Sequence, residues 1–178
     1  MLPFFIFSIL AQSPPDWQKA SAAVVRLAPG AFPELPSPIA ADLARRGCTI
    51  PQADEVKGKH NVIRGSFARP GQTDWAVLCS IQQKSSILVY WNASPANPAI
   101  LEPHPDTHRL QSWGGDKIVY SWQIAPVDKS YIMEHFNAYG GPKPPPIDHE
   151  GIDDRFVGKA SVVLYFYNGK WLHLTGAD

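Results

Sequence analysis

The chain has 178 residues, with 16 Lys and Arg balancing 16 Asp and Glu, and only 18% of its residues are charged. An apolar fraction of 44% excludes a disordered chain. The zero formal net charge argues against a nucleic-acid binder, which carries a basic excess or stripe. Eighteen prolines, roughly twice the usual share, and six tryptophans are the compositional departures. The length suits one domain able to bury a core.

Residues 1–11 carry no charge and are almost wholly apolar. Such a run is too short to span a bilayer, which needs about 20 residues. It fits the apolar region of a secretory signal, with Ala11 or Ser13 as the small residue before cleavage, although no Lys or Arg precedes it. A start codon further upstream and a buried N-terminal strand are the other readings. The expected organisation is a signal peptide over 1–13 and one domain over 14–178, exported to the periplasm or outside the cell. No other segment is apolar enough to cross a membrane. Cys48 and Cys79 fit that compartment: an even count without a C-x-x-C motif favours a structural disulfide. Two buried free thiols are the alternative.

Pro14 to Leu27 reads as an amphipathic helix, with Trp17, Ala20, Val24 and Leu27 on one face. A second helix has Ser37 as N-cap, Pro38 at its first position, Ile39 and Leu43 as its apolar stripe, and Gly47 after its end. Strands follow at Val62–Phe67, Asp74–Ile81 and Ser86–Trp91, a three-strand meander turning at Pro70-Gly71. Another strand is expected over Lys117–Ile124. Tyr131–Tyr139 reads as a short helix or a strand. Asn168-Gly169 between two apolar runs marks a C-terminal hairpin, because both turn positions need positive φ. Asn92–Pro105 and Gly140–Pro146 are Pro-rich and show no period. The expected fold is α+β: two N-terminal helices packed on an antiparallel sheet, with a C-terminal hairpin.

One internal echo stands out. Lys84–Asn92 resembles Lys159–Asn168, about 75 residues later and one residue longer. A duplication and a chance recurrence of a strand before an Asn turn both account for it.

The segment from Ile63-Arg64-Gly65-Ser66-Phe67 through Asp74-Trp75-Ala76-Val77-Leu78 to Ile87-Leu88-Val89-Tyr90 resembles one FG-GAP-type β-propeller repeat. That family shows a Gly-x-Phe start, a turn, then Asp before an apolar strand. Its usual calcium loop is replaced here by Arg69–Asp74. The whole chain is also similar to small exported bacterial proteins of unknown function, a resemblance that implies a compartment and no chemistry.

Three constellations are candidates for function. Asp148, His149, Glu150, Asp153 and Asp154 fall within seven residues. Asp148, Glu150, Asp153 and Asp154 offer oxygen ligands for Ca²⁺, and His149 beside Asp148, Glu150 or Asp153 offers an acid–base pair. A solvated acidic loop is the plainer reading. In Glu102–His108, ligand types recur at every second position, so His104, Asp106 and His108 could hold Zn²⁺ on an extended chain. The third is aromatic: Trp91, Trp113, Trp122, Tyr165 and Tyr167 lie on or beside expected strands, where they serve either as core or as a binding surface. No nucleophile elbow, zinc-protease, Walker or dinucleotide motif is present. The leading expectation is a non-enzymatic binding module for a protein or glycan of the cell envelope. The alternative is a cell-wall or polysaccharide hydrolase built on the Asp/His/Glu cluster.

Overall fold

In a computed structural model the protein is described over residues 16–114 and 117–178. The expected signal peptide lies outside the described residues. Helix α1 (Trp17–Ala23) starts where the Asp16 carboxylate accepts from the Lys19 amide at 3.0 Å. It stops short of Leu27 because Val24 turns extended, and the β-branched Val24-Val25 pair leads into β1 (Arg26–Leu27). Strand β1 pairs antiparallel with β2 (Ile50–Pro51). Between them runs α2 (Ser37–Arg45), whose N-cap is Pro36, so Ser37 is the first helical residue and not the cap. Gly47 takes the left-handed position after the end, with φ 72°.

Two four-stranded antiparallel meanders follow. The first sheet contains β3 (Val62–Gly65), β4 (Asp74–Ile81), β5 (Lys84–Tyr90) and β6 (Ala99–Pro105), paired in chain order. Strands β7 (Leu110–Ser112) and β8 (Ile118–Tyr120) form a small ribbon. The second sheet contains β9 (Trp122–Val127), β10 (Gly151–Phe156), β11 (Ala160–Tyr167) and β12 (Lys170–Thr175), again in chain order. Helix α3 (Lys129–Tyr139) connects β9 to β10; Asp128 caps it through the Tyr131 amide, and Gly140 ends it at φ 73°. Asn168 and Gly169 make the expected hairpin turn at φ 50° and 77°.

The expected fold class is overturned. Among the described residues there are three helices and twelve strands in four sheets, not two N-terminal helices on one sheet. Two strands were hidden by composition. Strand β6 runs through Pro-rich sequence, where proline is tolerated because β6 is an edge strand. Strand β10 is built from Gly-Ile-Asp-Asp-Arg-Phe, whose acids mask its pairing between β9 and β11.

Strand β4 explains the layering, because both of its faces are buried. Trp75, Val77 and Cys79 face α2 with Ile39, Leu43, Leu88 and Tyr90. Ala76 and Leu78 face the second sheet with Ile87, Val89, Trp122, Ile124, Ile152 and Leu164. The far side of the second sheet packs Val163, Tyr165 and Leu174 on Ile132 of α3. The order of layers is therefore helix, sheet, sheet, helix. The sequence echo falls on β5 and β11, the third strand of each meander. Leu88 and Tyr90 face outward to α2, as Val163 and Tyr165 face outward to α3. Trp91 and Phe166, the next matched pair, meet each other at 5.1 Å between ring centres.

Buried polar side chains tie these layers. Asp74 is fully buried and accepts from the amides of Phe67, Ala68 and Asn92 and from the Gln72 side chain. Asn61 donates to the carbonyls of Pro51 and Trp122 and accepts from the Ile124 amide, joining β2 to β9. Asp42 pairs with Arg45 and Arg46 and accepts from the Tyr90 hydroxyl, clamping α2 to β5. Beside that clamp, Cys48 and Cys79 form a disulfide with Cα atoms 5.4 Å apart.

Two stability predictions arise here. Replacing Cys48 and Cys79 by Ser should lower stability by about 3–4 kcal/mol in urea unfolding, the chain-entropy value for a loop of this length. Asp74→Ala should cost about 3 kcal/mol or more, because it strands several buried donors at once. A cost under about 1 kcal/mol would show that water satisfies those donors.

Candidate functional site

The acidic cluster does not converge on one point. Asp148 is largely exposed and accepts from the Tyr165 hydroxyl at 3.3 Å. The His149 ring stacks on Tyr165 at 4.3 Å, with only 5% of its side chain exposed, and Nδ1 donates to the Glu150 carbonyl. Glu150 accepts from the Ser66 amide at 2.7 Å through its carboxylate, while its own amide donates to the Ser66 carbonyl. From Gly151 onward the chain is strand, so consecutive side chains alternate. Asp153 therefore faces α3, where it accepts from the Tyr131 hydroxyl at 2.9 Å and pairs with Arg155. Asp154 faces the layer between the sheets, where Trp122 Nε1 donates to it at 2.5 Å and Arg109 at 2.9 Å.

The Glu102–His108 segment is also divided. Asp106 is fully buried in a 3₁₀ turn, accepting from Arg26, Ser80 and Ser85. His108 is exposed, and its ring lies 5.7 Å from that of His104. Of the aromatic candidates, Trp122 and Tyr165 are fully buried core. Trp91 stacks with Phe166 and Trp171 in a half-buried trio that closes one end of the inter-sheet layer. Tyr167 packs at the edge of the α3 layer, and Trp113 alone is more than half exposed.

What the fold does assemble is a cleft of about 220 Å³ at the opposite, polar margin of that layer. It is lined by Glu102, Arg109, Asp154, Phe156, Ala160, Ser161, Val162 and His173. Its geometry starts from a bulge. Ser85 pairs with His104 and Ile87 with Leu101, so Glu102 and Pro103 both stand opposite Ser86. Glu102 takes φ 49°, the left-handed region that a non-glycine residue rarely occupies. Its carboxylate bonds histidines of both sheets. Oε1 accepts from Nε2 of His173 on β12 at 2.7 Å, and Oε2 from Nε2 of His104 at 3.3 Å.

The two cleft carboxylates are pushed in opposite directions. Burial raises the Glu102 carboxyl, but hydrogen bonds from His173 and then His104 outweigh it and hold the group below the usual range. For Asp154, burial dominates and raises the carboxyl, although the Arg109 charge and the Trp122 hydrogen bond oppose it. The Arg109 guanidinium also lies 4.2 Å above the Trp122 ring, which holds it against the floor. Among the described residues, no group of three His, Cys, Asp or Glu side chains is placed to hold a metal ion.

The cleft residues that sequence reasoning missed are Arg109 and His173. Glu102 is one of the ligand types that alternate along Glu102–His108, but its partner His173 is 71 positions away. His173 shows only as a polar residue in the last hairpin, and Arg109 carries no signal at all. Comparison with protein families, with curated proteins and with solved structures finds no match to this chain.

The depressed Glu102 group sets a pH dependence. The unfolded chain takes up this proton near the ordinary value of 4.5, and the folded chain only at lower pH. The contribution is therefore complete above about 4.5 and is lost as pH falls through the lowered folded value. Thermal melts between pH 6 and pH 3 should show a shallower acid decline for Glu102→Gln than for the wild type. Parallel curves would remove Glu102 from the ionic accounting.

Proposed function

We propose that this chain is an exported, non-enzymatic binding module that meets a protein or glycan partner in the periplasm or outside the cell. One observation carries the reading. The acids and the histidine expected to do chemistry are distributed to separate places, and most of them are already engaged in structure. His149 is covered by Tyr165, Glu150 holds the Ser66 amide, Asp153 faces α3, and only Asp148 points into water. The disulfide supports an oxidising compartment. No helix among the described residues is long and apolar enough to cross a membrane. The cleft between the sheets, smaller than most drug-sized ligand sites, is the position at which the module takes a small group of its partner.

A hydrolytic reading has one observation in its favour. Glu102 and Asp154 share a cleft and titrate in opposite directions, the pattern of an acid–base pair. Incubation with peptidoglycan and with soluble polysaccharides separates the two. A binder releases no reducing ends or soluble fragments, and His149→Ala behaves as wild type in retention on immobilised envelope polymer. Fragment release that disappears in Glu102→Gln or Asp154→Asn would establish hydrolysis and overturn the binding reading.

A further inference from the structure

We propose that the cleft between β6, β10, β11 and β12 binds a small alkylammonium ion. This deepens the binding-module reading and rests on it. Arg109 and Asp154 are hydrogen-bonded to each other at 2.9 Å, so their charges are answered within the cleft. Glu102 is bonded only by the imidazoles of His173 and His104, and no Lys or Arg among the lining residues pairs with it. Counted over its two carboxylates and its one guanidinium, the cleft carries one formal negative charge.

Hydrogen-bond capacity points the same way. Each Glu102 oxygen accepts one imidazole N–H and keeps a further lone pair, as does each Asp154 oxygen. An ammonium group, with three donors and no acceptor, matches that surplus. Size and polarity complete the match. The volume of about 220 Å³ is small, and Phe156, Ala160 and Val162 give it an apolar wall suited to a short alkyl stem. The bulge at Glu102 brings the charged end of the site to that wall from the other sheet.

The test is a ¹H–¹⁵N titration of the full, disulfide-bonded chain at pH 7.5 with n-butylammonium, n-butanol, n-butyrate and Ca²⁺ as separate probes. The expected result is saturable shifts at the amides of Glu102, Arg109, Val162 and His173 with n-butylammonium alone. Glu102→Gln should weaken that binding by about tenfold or more, the effect of losing one charged hydrogen-bond partner. Val162→Trp, which fills the cleft from its exposed side without changing its charge, should abolish binding even where Glu102→Gln disturbs the bulge. Equal shifts with n-butanol or n-butyrate, shifts with Ca²⁺ and none with the amine, or no shifts with any probe would overturn the proposal. Those outcomes differ from failure of the binding-module reading, which appears as fragment release in the polymer assay that depends on Glu102 or Asp154.

Discussion

Two-sided burial of the first sheet is the constraint from which the rest of the architecture follows. Strand β4 presents Trp75, Val77 and Cys79 to one side and Ala76 and Leu78 to the other, and none of these can be left in water without losing roughly 1.5–3 kcal/mol for each large side chain. One side needs a cover and receives α2, fixed by the disulfide and by the Asp42–Tyr90 contact. The other side needs a second sheet. That sheet, apolar on its own far face, needs α3. Four layers are thus the consequence of one strand that is apolar at successive positions.

A chain of modest size that buries two sheets must also bring charges inside, and it does so by giving each carboxylate several donors. Asp74, Asp106 and Asp42 are buried hubs, each serving a junction between elements. Removing one partner from such a hub costs more than the hub contributes relative to an apolar core, because a stranded buried group loses its solvation without return. Much of the acidic complement is consumed this way. It follows that an acid-rich stretch of sequence in this protein is weak evidence for a site, and the dispersal of Asp148–Asp154 is an instance.

The cleft exists where this interior scheme ends. At one margin of the inter-sheet layer, Trp91, Phe166 and Trp171 close the gap with aromatic area. At the other, Asp154, Arg109, Glu102 and His173 replace them, and polar side chains that need donors and acceptors leave room that a hydrocarbon filling would not. The bulge in β6 supplies the Glu102 carboxylate. The extra residue interrupts the alternation of β6 at Glu102.

Local chemistry was legible wherever a few neighbouring residues decide it. The Asn168-Gly169 hairpin, the Gly47 helix end, the apolar run of β4 and the pairing of the only two cysteines are all written in the sequence, because turn geometry, positive φ and a count of two leave few alternatives. The echo between β5 and β11 was also visible, and its matched residues face matching sides. What the sequence concealed were strands whose pairing overrode their composition: prolines on the edge strand β6 and acids in β10, held by neighbours far along the chain. Only the tertiary structure could separate Asp153 from Asp154 onto opposite faces and set Glu102 against His173, 71 residues apart. The sequence by itself determined where the chain turns, caps and cross-links. The packing of one sheet on another decided which polar groups meet, because that depends on register and on a single bulge rather than on residue type.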